Sequence, residues 1–316
     1  MPNDLSSESS TAARRIGLGC MGLSWAYEDP SIEHAKKLEF LREAVARGVD
    51  FFDTSDQYGP FTNEALVGEA LETLRNRVSI ATKGGLVVDE HGKTSRDGRP
   101  EHLSAALEAS LLRLRTHQVD LYQLHRVDPA VPIERSWEAM ATLVERGLTA
   151  SIGLSEVSVR EIERAQSIYP VASVQSELSL WSRDALDEVL PYCEENGIAF
   201  IAFSPLGRGF LTGALSSPED LPEGDWRLNH PRYQAHSMAA NIELVEIVRA
   251  CAADSHSTPA QVALAWVLAQ GSHVTAIPGT QRIEYLLENL GAERLALTPE
   301  WMSKLDALPA AIGGRS

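Results

Sequence analysis

Short β-branched or apolar runs alternate along this chain with amphipathic stretches of helical period. The runs at 17–20, 49–52, 78–82, 120–124, 149–153, 171–174, 198–203 and 274–277 read as strands. Between them, 33–47, 64–75, 100–115, 133–145, 160–168 and 183–194 carry helical patterns. Such alternation predicts parallel strands joined by crossover helices. Eight units in 316 residues suit a closed α/β barrel, the (β/α)8 or TIM type, better than an open sheet. One domain over residues 15–316 is therefore expected, with long loops at its C-terminal face. Two segments break the repeat. Residues 86–99 are rich in Gly, Asp and Arg, and 209–237 are rich in Gly, Pro and Asp. The second is followed by two helical patterns, 238–253 and 259–269, before the last strand. A loop of that length in a compact barrel is usually a lid, a belt or disordered.

Composition narrows the partners. With 28 Lys and Arg against 44 Asp and Glu, the formal charge is −16, which disfavours nucleic acid and anionic lipid. An anionic cofactor would need its own basic or amide-lined patch. Cys20, Cys193 and Cys251 lie far apart with no CxxC pair, so neither a disulfide framework nor a zinc site is expected. No His, Asp and Glu group has metal spacing either. Residues 1–14 are polar and Ser-rich, lack the apolar region of a signal peptide and read as a disordered tail. No stretch approaches the roughly 20 apolar residues of a membrane helix. A cytoplasmic protein without membrane or nucleic-acid partners is expected, its oligomeric state left open.

Polar residues gather where the strands end. Asp53 closes FFD, Lys83 closes IATK, His125 closes LYQLH, Ser155 and Glu156 follow SIGL, and Gln175 closes ASVQ. Taken singly, each could be a solvated rim residue. Barrel active sites, however, sit at the C-terminal strand ends, where the βα loops converge. Five such strand ends in succession point to a site.

Tyr58 follows Asp53 by five residues in DQYGP, a place where a loop tyrosine often merely packs. Carbonyl reduction needs an acid to protonate the nascent alkoxide. A tyrosine of pKa about 10 is a weak donor unless a cation lowers it. Lys83 can supply that charge, and Asp53 can hold the ammonium. His125 can orient the carbonyl oxygen or pass a proton.

The segments GLGCMGLS, FFDTSDQYG, ATKGG, DLYQLHRVDP, IGLSEVS, VQSELSLWSR, IAFSPLGRGFLTG and IPGTQRIEYLLENLGA together resemble the aldo-keto reductase superfamily. They are most similar to the bacterial and plant branch acting on aldehydes, quinone-like compounds, sugars and pyridoxal. The resemblance runs in order from about Ile16 to the last helix. It implies a small-molecule carbonyl substrate, NADP(H) as cofactor, and a tetrad of Asp53, Tyr58, Lys83 and His125. It also implies cofactor contacts from Cys20 and Met21 of the first segment. Ser155 and Gln175 match residues that bond the nicotinamide carboxamide, with Glu156 where many members have Asn. Phe203 matches an aromatic, often Tyr, that stacks on the nicotinamide ring. Ser204, Leu206, Gly207 and Arg208 match the loop around the pyrophosphate. Gly279, Thr280, Gln281, Arg282, Glu288 and Asn289 match the adenosine and 2′-phosphate clamp, a helix start that favours anions. Many members open with a longer hairpin that plugs the barrel bottom, whereas TAARRIGLGC leaves room for only a short one. Some members, like the β-subunits of potassium channels, bind nicotinamide mainly as interaction modules, so a redox-sensing module is the alternative to an enzyme.

Rival motifs fall short. GLGCMG matches the dinucleotide pattern GxGxxG but has only Arg14–Ile16 before it and a loop-like LSWAYEDP after it. No Tyr has a Lys four residues on, and GKT at 92–94 lacks its upstream glycine. For the substrate pocket, Trp25, Tyr27, Trp181 and Trp226 are the aromatic candidates, suited to a flat or apolar carbonyl compound. Arg126 and Asp128 either bind a polar substrate group or pair with each other.

Overall fold

Successive side chains along the strands, buried on both sides of the sheet, sort into two cores. The computed structural model describes residues 15–314; the expected tail and any N-terminal hairpin lie outside them. Among these described residues, ten strands run in chain order as β1 (Leu18–Gly19), β2 (Phe51–Asp53), β3 (Ser79–Gly84), β4 (Leu86–Val88), β5 (Thr94–Arg96), β6 (Val119–Leu124), β7 (Thr149–Ser155), β8 (Ser173–Glu177), β9 (Ala199–Phe203) and β10 (Val274–Ile277). Eight of them pair in parallel in the order β1-β2-β3-β6-β7-β8-β9-β10. Bridges from Ile16 to Ala276 and from Gly19 to Gly279 join the two ends, giving the expected (β/α)8 barrel.

Ala81, Leu121, Ile201 and Ile277, flanked by Phe51 and Phe203, form a small cluster inside the barrel. Their neighbours one position away, among them Phe52, Ile80, Tyr122, Phe200, Ala202 and Ala276, belong to the larger core under the helices. A period of two thus serves both layers. The glycines of GLG have a packing reason. A Cβ on Gly17 would stand 2.7 Å from the Phe51 ring, and one on Gly19 would stand 2.8 Å from the Ile277 carbonyl oxygen. The dinucleotide-like spacing is therefore a barrel wall with no room for side chains.

The helices are α1 (His34–Ala46), α2 (Thr62–Leu71), α3 (Pro100–Arg113), α4 (Ile133–Glu145), α5 (Val159–Gln166), α6 (Val189–Glu195), α7 (Ala235–Asp254), α8 (Pro259–Ala269), α9 (Ile283–Gly291) and α10 (Pro299–Asp306). Local chemistry starts several of them. Ser158 with Glu161 and Thr258 with Gln261 form capping boxes, and α3, α8 and α10 each open on Pro in the first turn. The stretch 183–194 is not one helix: a short 3-10 turn at Asp184–Leu186 precedes α6.

The two irregular segments take definite form. Residues 86–99 contain the antiparallel hairpin β4–β5, pairing Leu86 with Arg96. The long loop after β9 is folded through short 3-10 turns at Pro218–Asp220, Trp226–Asn229 and Pro231–Tyr233. Among the described residues, no helix is long and apolar enough to cross a membrane.

Candidate active site

Inward-pointing polar side chains replace the apolar cluster at the C-terminal end of the barrel. The register aligns Lys83 with Gln123 and Ser155 with Gln175, whereas Asp53 lies beside Ala81 of the apolar cluster, so the polar side chains begin where that cluster ends. Lys83 is 1% exposed, and its ammonium has three hydrogens to place. They go to Asp53 Oδ1 at 2.6 Å, the Thr54 carbonyl oxygen at 2.8 Å and the Tyr58 oxygen at 3.2 Å. An ammonium only donates, so the Tyr58 oxygen is the acceptor and its own hydrogen is left for another partner. His125 sits beside this group, its ring 6.0 Å from that of Tyr58.

Electrostatics follow from burial and the close charges. Burial pulls Lys83 down, but Asp53 and the Tyr58 oxygen outweigh it and hold the ammonium above its ordinary range. Tyr58 is raised by burial, with Lys83 pulling the other way. The expected lowering of the tyrosine is thus corrected: Lys83 only limits the rise. Burial, then Lys83 and Arg126, hold His125 well below 6.5, so it is neutral at ordinary pH.

Gln123 escaped the sequence reading. It donates to Asp53 Oδ2 at 3.3 Å, and Gln175 donates to the same oxygen at 2.8 Å. Alternation within DLYQLH, with His125 pointing inward, was the signal available for it. Glu177 was also missed. Its Oε1 accepts from Ser182 at 2.8 Å, and its Oε2 lies 3.8 Å from the Arg208 guanidinium. It ties β8 to the long loop.

The expected cofactor residues line the same face. Cys20 is buried, its backbone N–H donating to the Asp53 carbonyl oxygen at 2.9 Å, and Met21 opens the adjoining turn. Ser155 accepts from Arg126 at 2.9 Å, which brings that arginine to the site. Asp128 instead accepts the Gly98 and Ala130 backbone N–H groups at 3.0 and 2.9 Å. Glu156 accepts the Glu177 N–H at 2.9 Å. Phe203 is half-buried at the end of β9, and Ser204, Leu206, Gly207 and Arg208 turn away from it. Glu156, Ser204 and Arg208 have φ of 55°, 50° and 55°, an unusual conformation for residues with a Cβ. Such strain gathers at binding sites.

The residues expected to form a clamp at β10–α9 are partly committed elsewhere. Gly279 lies on the barrel seam, and Thr280 Oγ accepts the Arg282 N–H at 3.2 Å. Gln281 donates to the Tyr27 carbonyl oxygen at 2.7 Å and accepts the Asp29 N–H at 3.2 Å. It thereby holds the first βα loop. Arg282 is exposed, and no side chain caps the first turn of α9. Further along α9, the Glu288 carbonyl oxygen accepts from Gln261 at 3.1 Å, and Asn289 is buried.

Of the aromatic candidates, Trp25 lies 5.7 Å from the Tyr58 ring. Tyr27 and Trp226 meet at 5.5 Å, bringing the long loop against the first one. Arg227 reinforces that contact, 5.1 Å from the Tyr27 ring and donating to the Arg208 carbonyl oxygen at 2.9 Å. Trp181 is different. It is 3% exposed and stacked on Phe210 at 4.2 Å, a loop anchor rather than an open pocket wall.

Asp53, Lys83 and His125 at the strand ends and Tyr58 in the loop beside them thus gather at the face where barrel enzymes carry their chemistry. The model of the Aldo/keto reductase family matches residues 15–310, and the chain belongs to that family. It is 41% identical to a probable aldo-keto reductase 1 of Glycine max, over 95% of this chain and 88% of that one. Among solved structures, a glycerol dehydrogenase of Gluconobacter oxydans aligns with TM-score 0.83 and 28% identity, covering 94% and 91% of the two chains. An aldo/keto reductase of Klebsiella pneumoniae, in complex with NADP and acetate, aligns with TM-score 0.73 and 25% identity, covering 92% and 90%.

Proposed function

We propose that this protein reduces an aldehyde or ketone to an alcohol at the expense of NADPH, with Tyr58 as the general acid. The carrying observation is the distribution of the Lys83 hydrogens. Three acceptors take all of them, one being the Tyr58 oxygen, so the tyrosine hydrogen is free to point at a substrate oxygen. As that hydrogen leaves, the phenolate stays 3.2 Å from a cation held by Asp53. The pair is dry, which strengthens this stabilisation relative to water. His125, neutral and adjacent, orients the carbonyl oxygen.

The residues present fit a nicotinamide dinucleotide. Ser155 and Gln175 offer polar groups for the carboxamide, Phe203 an aromatic face, and Arg208 a cation in the loop after β9. The first turn of α9 has no side-chain cap, and Arg282 stands exposed beside it, an arrangement that favours a phosphate. The bound cofactor supplies the hydride. The Klebsiella relative in complex with NADP supports this assignment. Stopped-flow oxidation of NADPH by simple aldehydes tests the proposal: fast multiple turnover supports a reductase, and a single slow turnover rejects it in favour of a sensor.

A further inference from the structure

Ser55 stands between His125 and a carboxyl group that the reaction above does not use. Its Oγ lies 3.1 Å from His125 Nδ1 and 3.3 Å from Asp56 Oδ1, and it accepts the Gln57 N–H at 3.1 Å. All three side chains are buried. Asp56 in turn lines a cavity of about 260 Å³ on the outer side of this loop, bordered by Phe61, Val87, His102 and Arg113. A hydrogen-bonded chain therefore runs from that cavity to the reaction pocket.

A hydroxyl has one hydrogen and two lone pairs. Gln57 occupies one lone pair of Ser55, and the other lone pair and the hydrogen divide between Asp56 and His125 in one of two ways. With Asp56 protonated, the acid donates to Ser55, Ser55 donates to Nδ1, and the imidazole hydrogen is on Nε2. With Asp56 ionised, Ser55 donates to the carboxylate, Nδ1–H donates to Ser55, and Nε2 is a bare acceptor. We propose that Asp56, acting through Ser55, sets which nitrogen of His125 carries the hydrogen, and so whether His125 donates to or accepts from the substrate oxygen.

The proton count balances. On passing from the first state to the second, the Asp56 hydrogen moves to Ser55 and the Ser55 hydrogen moves to Nδ1. The Nε2 hydrogen leaves through the pocket, a net loss of one proton. Asp56 faces Glu64 on α2, Arg113 on α3 and Tyr122 on β6, with His102 of α3 across the cavity. Burial, then Glu64, push Asp56 up to about 7, with Arg113 opposing. His125 faces Lys83, Arg126 and Tyr58, and burial with the two cations keeps it neutral, so only its tautomer changes. Resting on the reductase reading, this makes the acid form suit carbonyl reduction and the ionised form suit alcohol oxidation.

The imidazole nitrogens of His125 report the tautomer directly by 15N NMR on the intact protein between pH 5.5 and 8.5, bracketing the value of about 7 for Asp56. The wild type should pass from Nε2–H to Nδ1–H as pH rises. Asp56→Asn, whose amide imitates the protonated acid, should hold Nε2–H throughout, and Ser55→Ala should uncouple the tautomer from pH. In parallel, kcat/KM for carbonyl reduction should fall roughly tenfold per pH unit above the Asp56 midpoint in wild type and stay level in Asp56→Asn. One tautomer across the whole range in wild type, or an intact switch in Asp56→Asn, overturns the relay. A switch without carbonyl turnover upholds the relay and rejects the reductase reading; turnover with a fixed tautomer does the reverse.

Discussion

Gln175 donates its side-chain amide to Asp53 at 2.8 Å, joining residues 122 positions apart in the sequence. A group expected at the nicotinamide thus also steadies the carboxylate that holds Lys83. Gln123 does the second half of that job at 3.3 Å without the cofactor role. Gln123→Leu should therefore leave the Kd for NADPH near the wild-type value and lower kcat several-fold, whereas Gln175→Leu should weaken both. Equal loss of cofactor affinity in the two variants would remove the distinction.

Tyr58→Phe keeps the ring against Trp25 and deletes the hydroxyl, both its proton and the oxygen that accepts from Lys83. It should reduce kcat by about 10² or more with little change in NADPH binding, the usual scale of acid catalysis. Steady-state kinetics beside a fluorescence titration check this. A loss of only two- or three-fold in kcat is incompatible with Tyr58 as the acid.

Lys83→Met has two separable effects. Removing one partner of the buried ion pair leaves Asp53 uncompensated, a cost of roughly 3–5 kcal/mol in folding. Burial already raises Tyr58, and Lys83 is what limits the rise. Its loss should move the tyrosine higher still and slow reduction sharply. Denaturant melts and a pH–rate profile measure the two. Arg should not rescue, because a planar guanidinium does not place three hydrogens on these three acceptors.

Much of this was readable from the chain, for physical reasons. A strand flanked by helices outside and a packed barrel inside reads as an apolar run, and an inward polar residue at its end breaks the run visibly. Asp53, Lys83 and His125 are legible on that ground. Tyr58 lies in a loop and needed the chemical argument that a reduction requires an acid. Gln123 was hidden because it interrupts a strand one period before a more conspicuous His. Strand β8 was placed early because its second half, Gln175–Glu177, is polar; those residues are buried yet belong to the site layer. In the hairpin β4–β5 only the short run Leu86–Val88 is apolar, and its partner Thr94–Arg96 is polar and exposed throughout, so no alternation announces the pair. Gln281 carries no sign in the sequence that it binds a loop 252 positions away.

Asp56 makes stability depend on pH. Its folded value of about 7 lies above the unfolded value of 3.8, so the fold prefers the protonated acid. That contribution is present in full below the unfolded value and is lost as pH rises through the folded one. Asp56→Asn removes the titration. Measured against wild type, the variant's stability should improve by on the order of 2–3 kcal/mol between pH 5 and pH 8. Paired urea melts at the two pH values read the difference. A constant offset between the proteins would mean that Asp56 ionises as freely folded as unfolded.

The proposed preference for NADPH rests on Arg282. It is exposed at the start of α9, 5.9 Å from the Tyr285 ring, and no side chain caps the helix behind it. NADPH carries a 2′-phosphate that NADH lacks, so an arginine reading that group distinguishes them. A hydrogen bond to a charged group contributes about 1.5–3 kcal/mol, or roughly ten- to hundred-fold in affinity. Arg282→Ala should weaken NADPH by that order and leave NADH almost untouched. Because the side chain is exposed, the preference should also shrink with added salt. The competing arrangement has Arg282 in solvent with Gln281 and Thr280 on a ribose hydroxyl. It would require Gln281 to give up its bonds to Tyr27 and Asp29, freeing the loop that carries Trp25. Gln281→Ala separates the two: with Arg282 as the phosphate reader, it should raise the KM for the carbonyl compound and spare both nucleotide Kd values. Weakening of both nucleotides by Gln281→Ala, with none by Arg282→Ala, would transfer the recognition to Gln281 and leave the enzyme without a preference for NADPH.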